Sequence, residues 1–110
     1  NHALMSRVVQ NLLQNAYKYG REDGRIDVAL REQDGSAVLT VADDGIGIEQ
    51  KNLDRIWQRF WQADASRGED GGSGLGLAMV KEITQFHGGN VSVESEPGRG
   101  SVFTVRIPVR

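Results

Sequence analysis

Two carboxamides, Asn11 and Asn15, stand four residues apart at the margin of an apolar run and are followed at once by Lys18 and Tyr19. An asparagine costs helix propensity, and a buried amide needs hydrogen-bond partners. Such handles point to a surface that meets something other than core. A second cluster is Asp43-Asp44-Gly45-Ile46-Gly47-Ile48. Asp43 continues the strand parity of Leu39 and Val41, so if that row faces the core its carboxylate is buried and needs donors. An acceptor-only group beside a Gly-x-Gly turn suits the proton of an exocyclic amine such as that of adenine. Taken alone, the string reads first as an Asp-rich turn with a glycine for positive φ. It is not an EF-hand loop, because the later Asp/Asn ligands and the closing Glu are missing.

The third cluster, Gly71-Gly72-Ser73-Gly74-Leu75-Gly76-Leu77, runs into a helical pattern. Glycines let backbone N–H groups approach an oxyanion, and a helix N-terminus adds its dipole. No Gly-Lys-Ser/Thr follows, so it is not a Walker A motif, and its spacing misses the dinucleotide fingerprint. A flexible linker has the same composition. Arg55, Arg59 and Arg67 surround Phe60 and Trp61; arginines there suit phosphate oxygens, or simply a solvated amphipathic segment. His87 reads as part of a helix end, and His2 carries no argument.

These residues must be held by elements that the hydropathy pattern outlines. Leu4, Met5, Val8, Val9, Leu12, Leu13 and Ala16 form one helical arc. Asn11, Asn15 and Lys18 fall within about 60° of one another beside it. Arg25–Gln33 alternates through Ile26, Val28 and Leu30; Asp34-Gly35 is a hairpin signal, and Ala37–Asp43 returns. Residues 49–57 suit a short helix. No period persists from Gln58 to Ser73, which reads as a mobile loop. Leu75–Phe86 is helical with Leu75, Met79, Ile83 and Phe86 as its stripe; Asn90–Ser95 and Ser101–Val109 are strands around a turn at Glu96–Gly100. The order α, ββ, α, ββ fits an α+β two-layer sandwich with helices packed on one face of the sheet.

Bulk properties narrow the function classes. The 110 residues suit one domain, and 38% apolar with 25% charged residues is ordinary globular composition. A net charge of −2 leaves no basic footprint for nucleic acid and no polybasic stretch for direct membrane contact. Cysteine is absent, which excludes disulfides and thiolate metal sites. No apolar run is long enough to span a bilayer. Asn-His-Ala at the start, without Met, reads as a piece of a longer polypeptide.

Asn11-x-x-x-Asn15, Asp43-x-Gly45-x-Gly47, Arg59-Phe60, Gly72-x-Gly74-x-Gly76-Leu77 and Gly98-x-Gly100, in that order across nearly the whole chain, resemble the catalytic ATP-binding domain of bacterial sensor histidine kinases. The superfamily also includes type II topoisomerases, mismatch-repair ATPases and a heat-shock chaperone. The resemblance implies one domain over residues 1–110 in the Bergerat ATP-binding fold, with a mixed, mostly antiparallel sheet and an ATP lid at about 58–73. It implies ATP and Mg²⁺ as ligands. Asn15 would hold Mg²⁺, with Asn11 supporting metal or phosphates, Lys18 near phosphate and Tyr19 against adenine or ribose. Asp43 would accept from the adenine amine, with Gly45, Gly47 and Ile48 closing over the base. Gly72, Gly74, Leu75, Gly76 and Leu77 would shape the end of the lid, Arg59 would reach the phosphates, and Phe60 would anchor the hinge. Ser101 stands where many members carry threonine and keeps the hydroxyl, while Trp57 and Trp61 make the Phe60 region bulkier than usual.

One position separates activities within that superfamily. Hydrolysing members carry a general-base glutamate where this chain has Asn11, which cannot accept a proton usefully. The resemblance therefore implies a kinase: Asn11 and Arg59 serve catalysis, and the γ-phosphoryl passes to a histidine on a separate dimerisation and phosphoacceptor domain. Through that domain a response regulator is an indirect partner. It further implies a cytoplasmic domain, monomeric in isolation, whose parent is compatible with anchorage in the bacterial inner membrane. A serine kinase on the same fold and a module that binds nucleotide without transfer are the rival expectations.

Overall fold

The computed structural model describes residues 2–19, 24–58 and 76–108, with backbone alone at both ends of the first helix (2–4 and 18–19). Helix α1 spans His2–Tyr19, and a hairpin of β1 (Ile26–Gln33) and β2 (Ser36–Asp43) follows. A single 3-10 turn covers Gln50–Asn52; then come α2 (Gly76–Phe86), β3 (Asn90–Glu96) and β4 (Gly100–Pro108). The four strands form one sheet in the order β1-β2-β4-β3. Every pairing among them is antiparallel, which is the outcome for the mostly antiparallel sheet expected from the sequence.

Alternation along the strands decides which face meets the helices. In β4, Ser101, Phe103, Val105 and Ile107 are buried, as are Leu39 and Val41 beside them in β2. Val8, Leu12 and Ala16 of α1, Val80 of α2 and Ile56 of the connecting segment complete that core. Each buried Val, Leu, Ile or Phe side chain there contributes roughly 1.5–3 kcal/mol on burial. Thr40, Ala42, Val102 and Thr104 occupy the opposite parity and are only half-buried, although Val38 in the same row is 1% exposed. Helices on one face and a more polar second face are the expected two-layer sandwich.

Three details depart from the sequence reading. On α2 the buried residues are Ala78, Val80 and Thr84, whereas Phe86, assigned to the apolar stripe, is 82% exposed. The small residues take the inner face because α2 lies close against α1: a Cβ on Gly76 would sit 3.3 Å from Asn11 Oδ1. Leu77 and Ile83 pack partly buried against the core, whereas Phe86 stays outside it and packs edge-on against the His87 ring. The 49–57 segment makes one 3-10 turn and then successive turns rather than a helix, yet Ile56 reaches the core and Trp57 packs edge-on on Phe103 at 5.9 Å. Trp57 thus belongs to the core's margin. Finally, β1 is exposed along its whole length, although Val28 and Leu30 pair with Val41 and Leu39 and so share their face.

Candidate functional site

The site lies where β2 ends. Asp43 and Ser101 are register partners at the end of the β2–β4 ladder, so the core-facing row places the carboxylate and the hydroxyl side by side. The backbone N–H of Gly45 donates to Asp43 Oδ1 at 2.9 Å. Burial pushes the Asp43 pKa above the usual carboxylate value, and the neighbouring charge of Asp44 adds to that. The backbone N–H groups of Gly45 and Ser101 act in the opposite direction without cancelling it. The adjacent carboxylate does different work: Asp44 Oδ1 accepts the N–H of Arg25 at 2.9 Å and closes the start of β1. Of the two aspartates, only Asp43 looks inward.

Beyond Asp43 the chain turns back across the end of the sheet. Gly47 adopts φ +75°, and a Cβ there would collide with the Glu96 carbonyl oxygen. Gly100 adopts φ +107°, and a Cβ there would collide with the carbonyl of Asp43. These contacts require glycine on both counts, close approach and left-handed φ. The sequence reading gave Gly47 the task of closing over a bound base; its backbone also packs directly on the β3–β4 turn. That turn is cross-tied to the 45–48 loop: Gly98 N donates to Ile46 O at 2.8 Å, and Ile48 N donates to Ser95 Oγ at 2.7 Å.

Together these pieces and α1 enclose a cavity of about 220 Å³. Asn15 lines it from α1, Asp43 and Ser101 from the sheet, Gly47 and Ile48 from the loop, and Leu77 from α2. Six of the residues singled out in the sequence are thereby brought together. Ile46, Glu49, Asn52 and Pro97 also line it and were not singled out. Ile46 and Glu49 flank the glycine turn and Pro97 precedes Gly98, so proximity to the motifs was the available signal; Asn52 carried none.

The remaining assignments divide into two groups. Asn11 is half-buried one turn before Asn15, with Nδ2 3.6 Å from Met79 Sδ, and is not among the cavity's lining residues. Gly45 is buried and contributes its N–H to Asp43, and Gly76 spaces α2 from Asn11. Arg59, Phe60, Gly72, Gly74 and Leu75 lie outside the described residues, as do the side chains of Lys18 and Tyr19.

A larger, more open hollow of about 480 Å³ shares Asp43 and Ser101 but includes no residue of α1. It carries Glu94 and Glu96 against Arg99 alone, which disfavours a polyanion there. The smaller cavity combines the half-buried Asp43 acceptor, apolar side chains at Ile46, Ile48 and Leu77, and the amides of Asn15 and Asn52, with Glu49 at its exposed edge. Among the described residues no group of three or more His, Cys, Asp or Glu could hold a metal ion by itself. Asn15 alone fits an ion that arrives with phosphates and keeps most of its waters.

The family model for histidine kinase-, DNA gyrase B- and HSP90-like ATPases matches residues 1–110. The sensor histidine kinase RppB of Synechocystis is 40% identical over 110 residues, covering 99% of this chain and 24% of its own length. The chain thus spans about a quarter of that relative. The mycobacterial sensor histidine kinase MprB has a solved structure that superposes with a TM-score of 0.85 at 33% identity, over 100% of this chain and 73% of that one. Full-length ShkA in complex with AMPPNP superposes with a TM-score of 0.83 at 32% identity, over 96% of this chain and 21% of that one. Among the described residues, no helix is long and apolar enough to cross a membrane.

Proposed function

The chain belongs to the family of histidine kinase-, DNA gyrase B- and HSP90-like ATPases, and from that premise we propose that it is the catalytic, ATP-binding domain of a sensor histidine kinase. It binds Mg·ATP in the 220 Å³ cavity and delivers the γ-phosphoryl group to a histidine on a separate phosphoacceptor domain of its parent. A response regulator is the onward recipient. One observation carries the reading: Asn15, Asp43 and Ser101, from three separate elements, converge on a single hollow with apolar walls.

Asp43 accepts the adenine exocyclic amine, held ready by the Gly45 N–H on its other flank. Ile46, Ile48 and Leu77 sandwich the base and exclude water from that hydrogen bond. Asn15 faces the phosphates from α1. When bound with the nucleotide, Mg²⁺ supplies charge neutralisation at the phosphate oxygens, and the Asn15 amide oxygen is the protein group that would hold it. The work of the domain is positioning the phosphoryl group for an in-line attack. Asn11 supports transfer over hydrolysis, because a carboxamide packed against Met79 cannot take a proton from water. His87 closes α2, its Nδ1 2.9 Å from the Ile83 carbonyl; it is not the acceptor.

The test is incubation with Mg·ATP and the parent's phosphoacceptor domain. Acid-labile phosphohistidine is the expected product. An acid-stable phosphoserine points to the serine-kinase alternative, and ATP binding with no transfer reduces the domain to a binding module.

A further inference from the structure

We propose that Ser95 is a positioning residue that sets the hydrogen-bonding polarity of Ser101, and through it the choice of purine; the inference rests on the nucleotide reading above. Ser95 lies outside the cavity's lining residues and lines the neighbouring larger hollow that shares Asp43 and Ser101, at the core-facing parity of β3 and in register with Ser101. Its Oγ has three neighbours: Ile48 N at 2.7 Å, Gly100 O at 2.9 Å and Ser101 Oγ at 2.7 Å. A hydroxyl owns one hydrogen and two acceptor lone pairs. The Ile48 N–H can only donate and the Gly100 carbonyl can only accept. All three contacts are satisfied together in one arrangement: Ser95 donates to Gly100, and Ser101 donates to Ser95.

That arrangement spends the hydroxyl hydrogen of Ser101 away from the cavity. Ser101 Oγ then presents lone pairs alone, next to the Asp43 carboxylate, which also only accepts when ionised. The base-recognising wall becomes a pair of acceptors. Toward the substituent at C6 it suits an amine, whose two hydrogens can go to Asp43 and Ser101, and opposes a carbonyl, which only accepts. Without the Ser95 hydroxyl, Ser101 is released to rotate and donate into the cavity. Gln50 Nε2, donating to Ser95 O at 3.1 Å, anchors the backbone beneath, so the relay is held from both sides.

The experiment compares dissociation constants for ATP and inosine triphosphate by calorimetry in the full-length protein and its Ser95→Ala variant. The expected result is a fall of about tenfold in the ATP:inosine triphosphate preference, the size of one mispaired polar contact. Ser95→Thr, which keeps the hydroxyl, restores the preference. A merely structural role would weaken both nucleotides alike and leave their ratio unmoved, and that outcome overturns the proposal. Should Ser95→Ala not fold, Ser95→Cys carries the same ratio comparison, since a thiol of similar size donates and accepts weakly. Failure of the unsubstituted protein to bind ATP overturns the nucleotide reading, and this proposal with it. An unchanged ratio beside normal ATP binding by the parent overturns the proposal alone.

Discussion

The described residues contain two antiparallel hairpins, and they are built from similar turn chemistry to different ends. The β1–β2 hairpin turns through Asp34 at φ 52° and Gly35 at φ 80°, the paired left-handed residues of a type I′ turn. Among the described residues nothing leans on it: a Cβ at Gly35 would meet no atom within 4 Å beyond its chain neighbours, and β1 is exposed throughout. The β3–β4 hairpin is also turned by glycine, but the 45–48 loop is wedged onto it and tied by hydrogen bonds from Gly98 and to Ser95. A glycine in a turn therefore says that the backbone bends. Only its neighbours say whether the bend builds a wall.

The contrast is open to attack by the same substitution at both places. Gly47→Ala forces a methyl onto the Glu96 carbonyl in a left-handed conformation. It is expected to cost about 2–5 kcal/mol in denaturant unfolding and to weaken ATP binding as well. Next in size is Asp43→Asn, which keeps the fold's volume but replaces an acceptor-only group by one that can also donate. ATP affinity by calorimetry is expected to fall on the order of a hundredfold or more, while the melting temperature at pH 7 stays close to the parent's. Undiminished affinity would remove Asp43 from the site. Gly35→Ala is expected to cost only about 1–2 kcal/mol, from backbone strain alone, and to leave nucleotide affinity untouched. An equal effect of the alanine at positions 35 and 47 would erase the distinction between the hairpins.

The smallest effect is one of pH. The Asp43 pKa in the folded protein is raised, so between the unfolded value of about 3.9 and that raised value the folded state binds more protons than the unfolded one. Its contribution to stability is therefore full at low pH and is lost as pH rises through the folded pKa. Asp43→Asn lacks this term, so its melting temperature relative to the parent's is expected to climb from pH 4 to pH 7. A constant difference would mean that burial does not penalise the ionised carboxylate. Over the same range, acidification is expected to weaken ATP binding by the parent, since a protonated Asp43 loses an acceptor.

Much of the architecture was legible because its signals are local. The alternation of Leu39, Val41 and Asp43 placed a carboxylate on the inner row, and Asp34-Gly35 marked a hairpin that forms with the expected dihedrals. The helix arc through Val8, Leu12 and Ala16 is the buried one. Illegible were contacts whose partners are distant in the chain. Phe86 keeps the helical spacing of its stripe yet is 82% exposed at the last residue of α2, and helical periodicity does not encode where the packed face stops. Trp57, grouped by sequence with an arginine-rich segment, instead meets a phenylalanine of the last strand.

Sequence alone determined the repertoire: which positions carry an acceptor, an amide, a hydroxyl or a glycine, and in what order, because residue type and period are properties of the chain. Tertiary structure decided the assignments. Asp43 and Asp44 are neighbours with the same side chain, and only the β2–β4 register turns one to the cavity while the other closes β1. Ser95, unremarkable in the string, gains three hydrogen-bond neighbours because two strands and a loop end at one point. Hydrogen bonds depend on position to a fraction of an ångström, and no spacing along a chain carries that information across a fold.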